Sequence, residues 1–457
     1  MRLPRTVLYA LERLEQSGEE AFVVGGSVRD MLCGRSPEDF DLTTSATPDR
    51  MKEIFAGCRL LETGRRHGTL TLVQDGYAIE ITTYRIDGGY SDGRHPDAVS
   101  FSRCLEEDLA RRDFTINAMA WHPVRGLVDP FGGREDLDRG LIRAVGDPDR
   151  RFTEDGLRIL RGMRFSSRLG FAVEARTAAA MLRLRGRLSM VAAERIFSEL
   201  KGLLCGRDAA GVLLRFAPVL FAVLPELEPM SGCPQKTVYH KYDVWEHTAV
   251  AVGAAPPDPA MRLTMLLHDA GKPACRVRRE GVDHFKGHAA RSAQMAEEIL
   301  TRLACDSRTK RLAVRLIGAH DLRPEPTVSE VRRLLSGFGE GTLRLLFACQ
   351  RADAAGKSDQ YRLTQWEELD RLEGILDEVV SQNLCCTVGG MAVKGDDLLA
   401  AGVPAGPEVG RLLSRLLSDM IRLNLPNQRE VLLTHLQNLL CSGNGMAGSR
   451  SDENPNR

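Results

Sequence analysis

The hydrophobic rhythm of this chain changes once, near residue 150, and that change limits the folds open to it. Before it, short apolar runs of strand length alternate with helical stretches. After it, apolar residues recur at helical spacing over 156–169, 174–186, 190–204, 209–222, 289–303, 328–349 and 364–381. The pattern predicts an α+β head followed by an all-helical body, with no fixed-period repeat. Within the head, Glu20–Val24 reads as a strand, punctuated by Gly25–Gly26 before a helix opening at Ser27. Phe40–Thr44 reads as a second strand, and Thr47–Pro48 supplies an N-cap and a proline at the first helical position. Residues 69–73 and 77–85 alternate around Asp75–Gly76, a hairpin signal, and 86–100 is rich in Gly and Asp, as in a loop.

The 457 residues suit several domains, and 62 Lys and Arg balance 62 Asp and Glu. That balance excludes a uniformly basic binder but not a local basic groove. Only nine of the 62 basic residues are lysine; arginine suits bidentate phosphate recognition, but so lopsided a ratio points more to codon usage and carries little weight by itself. No apolar run reaches the ~18 residues of a membrane span. The N-terminus reads as an amphipathic helix closed by Gly18, not as a signal peptide. Eleven scattered cysteines, two of them adjacent at 385–386, fit a reducing cytoplasm. Residues 442–457, small and polar, are expected to be disordered.

The densest chemistry lies in 22–44, FVVGGSVRDMLCGRSPEDFDLTT. Asp39 and Asp41, two apart on the expected strand, would project from one face. Two like charges side by side call for a cation, and Mg²⁺ is the natural partner of hard oxygens and phosphates. A bare Asp-x-Asp also suits a solvated edge strand. Gly25–Gly26 permit close backbone approach, the helix after them offers free N–H groups, and Arg29 lies on its first turn. Glu80, on the hairpin strand between Ile79 and Ile81, is a third carboxylate for a two-metal site or a general base, or simply an outward strand position. On 154–168, Asp155, Arg158, Arg161, Arg164 and Arg168 recur at spacings of three and four, a helical stripe of one acid and four guanidinium groups. Six of the ten histidines fall within 240–320. His247, His268–Asp269, His288, His320 and Asp353 combine imidazole and carboxylate in a set able to bind one or two divalent metals.

Gly25-Gly26-Ser27-Val28-Arg29-Asp30, followed by Asp39-Phe40-Asp41-Leu42, resembles the opening of class II tRNA nucleotidyltransferases and bacterial poly(A) polymerases. The resemblance continues through RRDFTINAMA (111–120), EDGLRILRGMRF (154–165) and AAERIFSELKGLL (192–204). It implies a polymerase-β-like nucleotidyltransferase head (1–145), a neck (146–225), a body (226–365), a tRNA-binding tail (366–441) and a disordered end. By position, it implies that Asp39 and Asp41 hold Mg²⁺ and that Gly26 and Arg29 contact the triphosphate. Arg112, Asp113 and Asn117 match the Arg-Arg-Asp motif and its sequel, which brace the sugar pocket. Asp155 and Arg158 would read the base, Arg161 and Arg164 hold the nucleotide, and Glu154 orient Arg158. The 86–100 loop, with Asp92-Gly93-Arg94-His95-Pro96 intact, resembles the loop of members that add the full CCA.

The order His, His-Asp, His, His, Asp resembles an HD-type phosphohydrolase domain, which implies a second site for a divalent transition metal at His247, His268, Asp269, His288, His320 and Asp353. Residues 389–425 resemble the C-terminal segment of CCA-adding enzymes, with Gly406–Pro407 opening a helix at 408–421 suited to an RNA phosphate. The expected function is therefore template-independent addition of C, C and A from CTP and ATP to the tRNA 3′ end, the protein gripping the top half of the tRNA. A poly(A) polymerase, or an HD-type metal-dependent hydrolase with a non-catalytic head, is the alternative. Oligomeric state is not legible.

Overall fold

Strand β1, Ala21–Val24, is buried along its whole length, as its unbroken apolar sequence demands, and the head is assembled around it. The structure, a computed structural model, describes residues 3–88 and 99–444. The head's strands are β1, β2 (Asp41–Thr44), β3 (Arg59–Leu61), β4 (Thr69–Gln74), β5 (Tyr77–Thr83), β6 (Arg85–Asp87), β7 (Val99–Phe101), β8 (Ala120–His122) and β9 (Gly126–Val128). Seven of them form one sheet in the order β3-β4-β5-β2-β1-β8-β9. Only β2 and β5 pair in parallel within it. β6 and β7 form a separate ribbon at the base of the expected 86–100 loop; residues 89–98, and with them Asp92–Pro96, lie outside the described residues.

Local signals account for much of this. Asp75 (φ 52°) and Gly76 (φ 80°) both take positive φ in the two-residue turn between β4 and β5. Thr47 caps the helix Pro48–Ile54 by accepting from the Arg50 N–H. Two long helical expectations are each divided. The 209–222 stretch is two helices, Ala209–Arg215 and Ala217–Val223, because Pro218 starts the second. The 328–349 stretch breaks at Gly339 (φ 73°) into Val328–Phe338 and Glu340–Ala355.

Strands β10 (Leu141–Ile142) and β11 (Ala172–Val173) pair in parallel and tie the head to the neck helix, Leu157–Leu169. In the body, β12 (Val277–Arg279) and β13 (Val282–His284) form an isolated hairpin that apolar periodicity did not reveal. One buried apolar cluster runs from Val7 to Cys386, through head, neck and body. A second, from Met391 to Leu436, belongs to the C-terminal helices. The expected boundary at 366 falls inside the helix Asp359–Ser381, whose Leu369, Leu372, Leu376 and Val379 join the first cluster. The last helix, Arg429–Asn444, extends through 442–444, which the sequence assigned to a disordered end; residues 445–457 lie outside the described residues.

Candidate active site and a second metal-ligand cluster

The chain leaves β1 at Gly25, whose φ of 75° and ψ of −134° turn it directly into the helix Gly26–Leu32. A Cβ on Gly25 would sit 3.1 Å from Arg112 Nη1, so backbone and guanidinium approach where a side chain would intrude. Beside this turn β2 begins at Asp41, paired with Val24 on one side and Glu80 on the other. The strand does not reach Asp39. Because the chain has already turned at Gly25, β1 offers no partner beyond Val24, and Asp39 lies exposed in the preceding loop. The expected alternation of the two aspartates on one strand face is therefore corrected: Asp41 and Glu80 share the strand face, and Asp39 approaches from the loop.

Asp41 opens to solvent at the cleft, yet the surrounding protein raises its pKa, chiefly through desolvation, next through the charge of Glu80, and in lesser part Asp39, against the lowering effect of Arg112. Asp41, with two further carboxylates beside it that disfavour its charge, fits a site for a hard divalent cation.

A cavity of about 440 Å³ opens above Asp41. Gly25, Gly26, Arg29, Arg112, Asp113 and Asn117 line it from the head; Asp155, Arg158, Arg161 and Arg164 line it from the neck. Ten of the expected site residues, Asp41 among them, thus meet in one cleft, while Asp39 and Glu80 stand beside its floor. Asn117 Oδ1 accepts from Arg29 Nη1 at 2.8 Å, and Arg29 also pairs with Asp30 at 2.9 Å. Asp113 Oδ2 accepts from Arg161 Nε at 2.7 Å, a bond that joins head to neck. Burial opposes ionisation of Asp113, but Arg161 and the Asn117 amide hold its pKa below the ordinary carboxylate value. Phe165 lies against Arg29, Arg161 and Arg164, with guanidinium carbons 5.4, 5.4 and 4.4 Å from the ring centroid.

Asp155 and Arg158 are not one helical turn apart, as their spacing implies. Asp155 has extended backbone (φ −141°, ψ 107°) and precedes the neck helix; its Oδ1 accepts from the Leu157 N–H. Its Oδ2 accepts from Arg195 Nη2 at 2.8 Å. Arg158 is held separately by Glu154 Oε2 at 2.7 Å and by the carbonyls of Arg111 and Arg151. The expected pairing of Glu154 with Arg158 is present. Arg195 and Glu199, which pairs with Arg164, were missed; both lie in the AAERIFSELKGLL segment, but no local spacing marks them as neighbours of 155 or 164.

The body brings all six of its expected ligands together. Asp243 caps the helix Val244–Ala254 with a full capping box, which sets His247 in the second turn. His268 and His320 each end a helix, and each donates its Nδ1–H to the carbonyl three residues back, Met265 and Ile317, at 2.7 Å. His247 and His288 donate Nδ1–H to the Gly356 and Phe285 carbonyls. A carbonyl only accepts, so every ring carries its proton on Nδ1 and, when neutral, turns a bare Nε2 lone pair inward. Those atoms face one another: His247 to His268 at 3.4 Å, His288 to His320 at 3.2 Å. Neither pair forms a hydrogen bond when both rings are neutral, and backbone-anchored imidazoles of this kind suit a metal.

The ligand atoms fall into two groups, His247, His268, Asp269 and Asp353, and Asp269, His288 and His320, so Asp269 belongs to both. Among the described residues its oxygens accept no well-aligned hydrogen bond, although Lys272 Nζ stands 2.7 Å and His268 Nε2 3.2 Å from Oδ2. Burial alone would lower the His268 pKa, but Asp269 and Asp353 push it up to about 9. Lys357 neutralises Asp353 at 2.6 Å.

Residues 21–143 match the poly(A) polymerase head domain family. Residues 170–230 match a probable RNA- and SrmB-binding site of polymerase A, and 293–436 a second tRNA nucleotidyltransferase domain. A CCA-adding enzyme of Levilactobacillus brevis is 33% identical over 428 residues, covering 93% of this chain and 95% of that relative. The chain belongs to the CCA-adding enzyme family. A CCA-adding enzyme of Leuconostoc mesenteroides is 47% identical over 200 residues, a match that spans 44% of this chain and 49% of that relative. The crystal structure of the Bacillus stearothermophilus CCA-adding enzyme in complex with CTP superposes with a TM-score of 0.73 at 28% identity, covering 98% of this chain and all of that one. The family's architecture of mixed-sheet head and helical body is the one seen here. No helix among the described residues is long and apolar enough to cross a membrane.

Proposed function

We propose that this chain adds C, C and A to the tRNA 3′ end from CTP and ATP, with the chemistry in the cleft above Asp41. The observation that carries the reading is the register pair Asp41–Glu80 at the floor of a cleft whose opposite wall is a row of neck guanidinium groups. Asp39 and Asp41 would hold Mg²⁺, with Glu80 completing the acidic floor. Bound there, the ion supplies neutralisation of charge on the reacting phosphate and oxygens. The protein's part is positioning. Gly26 and Arg29 at the helix start receive the triphosphate, Arg112 and the Asp113–Arg161–Asn117 group frame the sugar, and Arg164 adds a further cation. Aligned in this way, the terminal hydroxyl gives up its proton to a carboxylate of the floor, Glu80 being the candidate, and attacks the α-phosphorus in line as the α–β phosphoanhydride bond breaks and pyrophosphate departs.

Base selection falls to Asp155 and Arg158. Cytosine and adenine each present an amino donor beside a ring-nitrogen acceptor, which matches a carboxylate that accepts and a guanidinium that donates. Guanine and uracil reverse that order and leave buried groups unpaired. Arg195 fixes the first reader and Glu154 the second. The tail, through its helix Pro407–Arg422, would grip the tRNA backbone. The deciding assay offers tRNA lacking CCA with each nucleotide. Ordered incorporation that stops after CCA supports the reading; unlimited extension with ATP alone would make the chain a poly(A) polymerase.

A second reading concerns the body. The facing Nε2 atoms, which present lone pairs once the rings are neutral, and the Asp269 carboxylate shared by both groups fit a divalent transition metal, which would supply activation of water for phosphoester hydrolysis. Metal analysis of the purified protein, with phosphate release from model esters, tests it.

A further inference from the structure

Five of the chain's nine lysines, at 236, 241, 272, 286 and 357, gather around the His/Asp cluster. Lys272, Lys286 and Lys357 line the cavity of about 660 Å³ that opens there, and the other two flank it. In a chain that otherwise places arginine almost everywhere, that clustering marks the region.

The cavity's rim is a built ledge. Its outer wall is the β12–β13 hairpin, closed by a two-residue turn with positive φ at Glu280 (50°) and Gly281 (81°). Buried Asp283 stitches the hairpin to the segment before it: Oδ2 accepts from the Lys236 N–H at 2.9 Å, and Oδ1 from Arg276 Nε at 3.0 Å. That segment continues to Tyr239, whose ring stacks at a tilt on Tyr361, centroids 4.7 Å apart, and whose carbonyl accepts from the Ser358 N–H. Tyr239 nevertheless remains 48% exposed, and its neighbour Val238 is 82% exposed.

Part of the positive charge on this ledge is unpaired. Arg276 pairs with Asp283 and Lys241 with Asp359, but exposed Lys236, Arg278, Arg279 and Lys286 form no ion pair among the described residues. The acids nearby are Glu280 at the hairpin tip, Asp283 and Asp359 in the pairs just named, Asp321, which pairs with Arg323, and Asp269 and Asp353 deeper in the cavity, which pair with Lys272 and Lys357. Lys286 and half-exposed Tyr239 line the same cavity, and Lys236, Arg278 and Arg279 stand on the segment and hairpin that form its rim. Cations along a rim that also offers an aromatic ring suit phosphates that alternate with unstacked bases, the signature of a single strand, whereas a duplex keeps its bases stacked and offers the ring nothing. The ledge also falls between the matched segments 170–230 and 293–436, apart from the cleft of the head.

We propose that residues 236–241 and the β12–β13 hairpin form a second RNA-binding surface, which takes a single-stranded segment and leads its phosphates to the His/Asp cavity. Delivery to the cavity rests on the metal-centre reading; binding to the ledge does not.

The test uses the full-length protein with its head saturated by tRNA ending in CCA, and a fluorescent oligouridylate of about ten nucleotides as probe. Anisotropy titrations across a salt series should show binding that R278E/R279E weakens by about tenfold or more. Because a single-strand phosphate contact contributes ~0.7 to the log–log salt slope, the same variant should flatten that slope by about 1.4. Tyr239→Ala should weaken binding with an unchanged slope, since it removes stacking and no charge. R278E/R279E should retain CCA addition, which shows that it folds. Unaltered probe affinity and slope in R278E/R279E would overturn the proposal, as would complete displacement of the probe by tRNA. His268→Ala should still bind the probe, and loss of binding in that folded variant would also overturn it. Absence of metal from the wild-type protein, with probe binding intact, would remove the metal-centre reading and leave the ledge standing.

Discussion

Asp41 on β2 and Glu80 on β5 are direct register partners across the one parallel pairing of the head sheet. The parallel step brings two carboxylates, 39 residues apart in the chain, side by side at the floor of the cleft between head and neck. Their repulsion, with Asp39 adding to it, is what a cation would relieve.

Asp41→Ala is expected to reduce single-turnover incorporation of CMP onto tRNA lacking CCA by roughly a hundredfold or more, with tRNA affinity little changed. Filter-binding and quench-flow measurements on the same preparation check both halves. Near-normal turnover would place the reaction elsewhere.

Asp155→Ala should slow correct addition and admit UTP and GTP. Each buried contact left unpaired is worth about 1–3 kcal/mol, so selectivity should fall by roughly ten- to a hundredfold. Arg195→Ala should erode selectivity in the same direction but less, because the Asp155 carboxylate remains while its 2.8 Å anchor is lost. Competition among the four nucleotides reads both effects, and wild-type selectivity in Asp155→Ala would refute the base-reading assignment.

Acid sensitivity should trace in part to the seam between head and neck. The pKa of Asp113 is lowered in the fold, so its contribution to stability is full above the ordinary carboxylate pKa of ~4 and is lost as pH falls through the depressed native value. Asp108, held low by Arg111 and Arg112, works in the same direction. Asp113→Asn should lower stability at neutral pH by ~1–3 kcal/mol, a figure discounted because the Arg161 side chain is 35% exposed. Its unfolding temperature should also vary less than that of the wild type below pH ~4. An unchanged acid slope in the variant would assign the sensitivity to other groups.

His268→Ala should release bound transition metal, measured by elemental mass spectrometry, and abolish any phosphoester hydrolysis while CCA addition persists. The two clefts share no ligand residue. Parallel loss of both activities in a folded variant would contradict their independence.

Much of this protein is determined by short stretches of sequence whose signals act locally. The Asp75–Gly76 turn, the Thr47–Pro48 helix start and the amphipathic neck each depend on neighbours within a turn or two, so spacing alone conveys them, whereas the order of histidines and aspartates is legible only through its resemblance to a known domain. What the tertiary structure decided are the relations between distant segments. Asp39 leaves the strand because β1 has already turned away at Gly25. Asp155 leaves the expected helical stripe to meet Arg195, and Asp113 reaches Arg161 across the seam between head and neck. Lys272 and Lys357 come to rest on Asp269 and Asp353, and a hairpin without an apolar rhythm stands beside them. A long-range ion pair depends on which faces the folded chain brings together, and that depends on how the buried apolar surfaces of all the elements fit, which no local spacing encodes.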